Sequence, residues 1–104
     1  MLLIVANAGA PAAANASAAM IVGPGTLSCG QWLTDRQGLY SANNMEAWIA
    51  GYLSAFNTHV AQGNIMKNMD SAELFLWLDN YCHAHPLDDV AVATDRLIDA
   101  LKER

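Results

Sequence analysis

The chain has 104 residues, room for one small domain and too few for two. Its 10 Asp and Glu outnumber its 5 Lys and Arg, which gives a net charge of −5 at neutral pH. So acidic a balance excludes a nucleic-acid binder, which needs a basic face against phosphate, and a protein that docks on anionic lipid.

Nine of the first nineteen residues are Ala, and no charged residue precedes Asp35. The apolar opening Leu2-Leu3-Ile4-Val5, followed by small residues, has the form of a secretory leader, although no Lys or Arg stands ahead of it. Ala12-Ala13-Ala14 and Ala16-Ser17-Ala18 each offer the small-x-small pattern of a cleavage site. Asn7, Pro11 and Asn15 interrupt the run, which stays far short of the ~20 apolar residues needed to span a membrane. Residues 1–19 are therefore expected to be a signal-peptide-like leader. The protein is expected in the periplasm or secreted, with no membrane insertion of the mature chain.

Residues 20–27 contain the breaker cluster Gly23-Pro24-Gly25 and read as an extended lead-in to a single helical domain over 28–104. Ser28 or Thr26 can cap a short first helix that carries Cys29, Trp32 and Leu33 and ends near Gly38. Asn43 and Asn44 then precede the strongest periodic segment. Met45, Trp48, Ile49, Tyr52, Leu53, Phe56 and Val60 fall on one face of an α-helix, with Gly63 as its C-terminal stop. Beside that face runs a stripe of small residues, Ala47, Gly51, Ser54 or Ala55, and Thr58, which lets another backbone approach closely. Asp70-Ser71-Ala72-Glu73 has the form of a capping box. The helix it opens buries Leu74, Phe75, Leu78, Tyr81 and Cys82, carries Leu76 and Trp77 on its shoulders, and finishes around Cys82 to Ala84, ahead of Pro86. The last helix begins near Leu87 or Asp88 and turns Val90, Leu97, Ile98 and Leu101 inward. No alternating Val/Ile/Thr-rich run competes for a strand. The expected fold is all-α: three main helices and one short N-terminal helix, stapled by one disulfide.

That disulfide joins Cys29 to Cys82. An even cysteine count in a small exported domain reads as a crosslink, and closing a loop of roughly fifty residues is worth roughly 4 kcal/mol. Motifs for chemistry are missing from the sequence. His83 and His85 are the candidate metal pair, but helix positions two apart point in different directions, and no cluster supplies the remaining ligands. There is no G-x-S-x-G elbow, no phosphate-binding glycine loop followed by Lys, and a disulfide would consume both thiols. We expect no enzyme, no metal and no cofactor. Trp48 reads as core, whereas Trp77, at the edge of a buried stripe, joins Ala47 and Gly51 as a candidate interface residue. With every carboxylate protonated and every His charged the chain would reach about +8, a swing large enough to pull an association apart.

Taken together, these features resemble the small periplasmic helical proteins of the HdeA/HdeB acid-stress chaperone type. The matching elements are the leader, a first cysteine at Ser28-Cys29, the aromatic amphipathic helix from Trp48 to Phe56, a second cysteine about fifty residues on, and a closing helix. The run from Tyr81-Cys82-His83-Ala84-His85-Pro86-Leu87 through Leu101 is also similar to the C-terminal part of Tai-type immunity proteins, which carry it in a disulfide-bonded α-helical fold. The first likeness implies a chaperone or envelope stress protein that dimerises and binds unfolded proteins. The second implies an immunity or inhibitor protein that blocks a partner enzyme in the periplasm. Both imply a protein partner or a homodimer.

Overall fold

The computed structural model describes residues 20–104, with only the backbone at 39–41; the leader expected over 1–19 lies outside the described residues. Four α-helices follow one another: α1 (Cys29–Asp35), α2 (Leu39–Phe56), α3 (Ser71–Ala84) and α4 (Val90–Lys102). No strand occurs among the described residues.

The seven residues of α1 start at Ser28, whose hydroxyl accepts from the Gln31 N–H at 3.0 Å. Thr26 is not the cap, because its hydroxyl is spent on the Gly23 carbonyl at 2.9 Å. The helix stops at Asp35, three residues before the expected Gly38, and Gly38 instead caps α2 through its extended backbone. So α2 begins at Leu39, ahead of the Asn43-Asn44 pair expected to precede it. Burial decides this: the added turn brings Ala42 into the core, outweighing the cap preference of Asn, worth about 1 kcal/mol.

Beyond Phe56 the helix widens into a π turn over Asn57–Ala61 and ends at Gln62, which takes the left-handed conformation at φ 52°. The stop therefore falls one residue before Gly63. The wider turn also breaks the 3.6-residue period, and Val60, expected on the apolar face, is 65% exposed. The capping box at α3 forms as the sequence implies: the Glu73 N–H donates to Asp70 at 2.9 Å, and the Asp70 N–H to Glu73 at 3.1 Å. Helix α4 starts at Val90 rather than Leu87 or Asp88, with Asp89 as its cap accepting from Val92 at 2.8 Å. The preceding residues are engaged elsewhere, and Leu87 is left 95% exposed.

What engages them is the start of α1. The Cys29 N–H donates to the Asp88 carbonyl (2.7 Å), Gly30 N–H to Pro86 (3.0 Å) and Val90 N–H to Leu27 (2.8 Å). Cys29 and Cys82 are bonded across this seam, their Cα atoms 4.9 Å apart and 53 positions apart in sequence. Above the seam the core closes. Trp32 comes from α1, Met45, Ile49 and Leu53 from α2, Leu74 and Leu78 from α3, and Val90, Leu97, Ile98 and Leu101 from α4. Thr94, also buried, returns its hydroxyl to the Val90 carbonyl at 2.8 Å. Phe75 and Tyr81 are half-buried, and Leu76 on the shoulder is exposed.

The lead-in departs from the expected extended form. Pro24–Thr26 makes a 3-10 turn opened by Gly23 at φ 89°. Gly25 lies flat on the Trp48 indole, where any Cβ would fall inside the ring. Trp48 is accordingly a half-buried rim residue rather than core, and Trp32 is the tryptophan at the centre.

Reducing the crosslink is expected to lower stability by roughly 3–4 kcal/mol, which for a domain of this size lowers Tm by about 15 °C or more. Thermal unfolding followed by circular dichroism, with and without reductant, measures it. Cys29→Ser with Cys82→Ser is expected to reproduce the reduced curve.

Candidate functional site

Two arrangements stand out, a carboxylate network that ties the helices together and a groove along the outside of α2. The network centres on Arg36, at the C-terminal end of α1. Its guanidinium grips Asp79 of α3 with two nitrogens, at 2.9 and 3.0 Å, and Glu46 of α2 at 2.7 Å. Asp79 also accepts from the Trp32 indole N–H at 2.8 Å. The guanidinium stacks over Trp32 and Phe75, 5.1 and 5.7 Å from the ring centres, a cation–π pairing in a partly desolvated place. The hydrogen bonds that Arg36 donates to Asp79 hold its pKa above the ordinary value, against the opposing effect of burial.

Two tyrosines complete the network. Tyr52 of α2 donates to Asp95 of α4 at 2.6 Å, and Tyr81 of α3 donates to Asp88 at 2.6 Å. Burial first, then the bond to Asp95 and its charge, push the Tyr52 hydroxyl up to about 12. Tyr81 is raised chiefly by its bond to Asp88. Among the described residues, every side-chain to side-chain hydrogen bond that joins one helix to another ends on a carboxylate.

The groove follows the small-residue stripe. Ala47 and Gly51 are exposed on the outer face of α2, and a Cβ on Gly51 would meet no atom within 4 Å. An apolar cleft of about 410 Å³ lies there, walled by Trp48 and Tyr52 on one side and by Met20–Val22 on the other. It shares Tyr52 with a second cleft of about 260 Å³ that continues past Ala55 and Phe56 to His59 and Val60. It shares Ala47 with a third, of about 620 Å³, beneath Pro24 and Leu27. From Leu39 through Ala61 the only Asp, Glu, Lys or Arg is Glu46, and that side chain is turned to Arg36.

The other residues singled out from sequence are not gathered into this site. Trp77 belongs to a separate stack on α3, with Tyr81 5.6 Å away and His85 4.4 Å beyond Tyr81. His83 and His85 are exposed, and among the described residues no group of three or more His, Cys, Asp or Glu could hold a metal ion. No described helix is long and apolar enough to cross a membrane. Sequence reasoning missed Arg36, Glu46, Asp79 and Asp95. One local signal was available: Arg36 follows Trp32 by four positions, the spacing that lays a guanidinium on an indole along a helix.

No family model, curated protein or solved structure matches this chain.

The tyrosine bond to Asp95 gives a prediction with a definite sign. The folded pKa of Tyr52 lies above the ordinary 10, so its contribution is complete below pH 10 and is lost as pH rises from 10 through about 12. Tyr52→Phe is expected to lower stability at pH 7 by about 1–2 kcal/mol and to flatten this alkaline loss. Urea unfolding followed by tryptophan fluorescence at pH 7, 9 and 11 reads both effects.

Proposed function

We propose that this chain is a small exported, non-enzymatic protein that acts by binding other proteins, as an HdeA-like envelope stress protein or acid-stress chaperone in the periplasm. The observation that carries the reading is the chemistry of its helix-to-helix bonds. Among the described residues, every side-chain bond between helices ends at Asp79, Glu46 or Asp95, and protonation of a carboxylate removes the charge that makes such a bond strong. Strong acid also turns a chain of net charge −5 into one of about +8, adding self-repulsion to the loss of acceptors. The Cys29–Cys82 bond is indifferent to acid and keeps α1 on α3 while the rest loosens. Apolar surface is then exposed on a chain still tied close to its folded arrangement. A disulfide closing the middle of so small a domain fits an oxidising compartment outside the cytosol.

The open groove on α2 favours a second reading. It is already accessible in the folded chain, so binding through it needs no unfolding. That is what an immunity or inhibitor protein requires if it blocks one partner enzyme at neutral pH.

Size-exclusion with light scattering and near-UV circular dichroism at pH 7 and at pH 2–3, paired with a client-aggregation assay, separates the two. For the stress-protein reading, tertiary signal is lost in acid, any homodimer present at pH 7 comes apart, and aggregation of an acid-unfolded client is suppressed. A chain that keeps its tertiary signal or protects no client overturns it. For the inhibitor reading, affinity capture from periplasmic extract at pH 7 recovers one dominant basic enzyme, and diffuse recovery counts against it.

A further inference from the structure

The lead-in Met20–Leu27 runs antiparallel to α2. Leu27 and Pro24 lie over Asn43 to Ala47, and Met20 to Val22 lie over Ala47 to Tyr52. It therefore lies along one end of the groove and leaves the stretch past Tyr52 free. The means by which it is held are few. The Trp48 indole N–H donates to the Val22 carbonyl at 2.7 Å, Gly25 rests on the same ring, and Ile21 is half-buried in the cleft. Met20 and Val22, by contrast, are 84% and 71% exposed. The strap is an uncharged apolar chain segment, read by one indole donor on a carbonyl and seated on small residues. Any protein segment of the same chemistry can satisfy those contacts.

We propose that Met20–Val22 is a displaceable strap, and that the α2 groove takes an extended, uncharged apolar segment of another protein in its place. This rests on the reading that the chain binds proteins, and it assigns both the surface and the kind of segment recognised. Two further observations fix the occupant's character. Asp35 lines only the cleft beneath Pro24 and Leu27, and no Asp, Glu, Lys or Arg lines the groove from Ala47 to Val60, so a charged segment would be desolvated there without a partner. The open space above Gly51 gives a second backbone room to approach. The strap is covalently tethered at a high effective concentration, so it holds its own end of the groove until a longer segment engages the free stretch from Tyr52 to Val60 and replaces it.

The test uses the disulfide-bonded full chain and a fluorescent peptide of the strap's own sequence, Met20 to Thr26 with blocked ends, at pH 7. Ile21→Asp unseats the strap without altering the groove. Gly23→Val, placed where φ is 89°, does so by backbone strain. Each is checked for unchanged helix content. Both are expected to bind the peptide about tenfold or more tightly than the parent chain, as when the strap fills its place about nine-tenths of the time. Adding Gly51→Glu to either, which puts a charge into the open space, is expected to abolish the gain. Equal binding by parent and variants, binding by neither, or a gain that survives Gly51→Glu overturns the proposal. The measurement involves no client and no acid, so a chain that fails to protect clients can still pass it, and a protective chain can still fail it.

Discussion

Everything in this fold hangs from the seam where the start of α1 meets the turn between α3 and α4. A seven-residue helix has no independent stability, and α1 exists because it is fixed at its first residue. Cys29 is bonded there to Cys82, and the adjoining backbone makes three hydrogen bonds to the turn. Once α1 is fixed, Trp32 fills the centre of the core and Arg36 stands within reach of both Asp79 and Glu46. The seam also explains the stretch from Pro86 to Asp89. Its carbonyls are acceptors for α1, so α4 cannot begin until Val90. One covalent bond thus sets where two helices begin and where the main polar network can form.

That network is built on scarcity. With 10 carboxylates and 5 cations, most acids have no basic partner, and three helices converge on the single guanidinium of Arg36. The remaining ties use tyrosine hydroxyls as donors instead. The Tyr52 donor is lost in alkali, as its hydroxyl ionises on the way through about 12.

Local chemistry was legible in the sequence, and long-range chemistry was not. The capping box at Asp70 and Glu73, the end of α3 at Ala84, the cysteine pair and the inward face of α4 all follow from residues close together or from simple counting. The start of α2 was misjudged because burial of Ala42 depends on helices distant in sequence. Val60 was misplaced because a π turn shifts the register, and no residue in Asn57–Ala61 announces one. Trp48 read as core from its periodicity, yet its neighbours are Gly25 and Val22, more than twenty positions away. Of the groove, the small-residue floor at Ala47 and Gly51 was visible in advance. The strap that lies along it was not, since Gly23-Pro24-Gly25 announces a turn but not where the turn docks.

The placement of charge gives the outer face of α2 its meaning. Charged residues make up 14% of the chain, so the stretch from Leu39 through Ala61 would carry about three by proportion; it carries Glu46 alone, and that one is consumed by Arg36. Net charge need not be spread over every helix, and Asp70, Glu73, Asp79, Asp88 and Asp89, on α3 and in the segments beside it, carry the excess of acid. Covering a face costs least where no charge must be stripped of water, and small side chains lower the cost further because little rotamer freedom is lost on contact. The outer face of α2 meets the first condition from Ala47 to Val60 and the second at Ala47, Gly51 and Ala55. The chain's own Met20–Val22 segment already exploits them, held by one indole hydrogen bond and a few apolar contacts. In the interaction proposed above, a second polypeptide is held on this groove without stripping water from a charge.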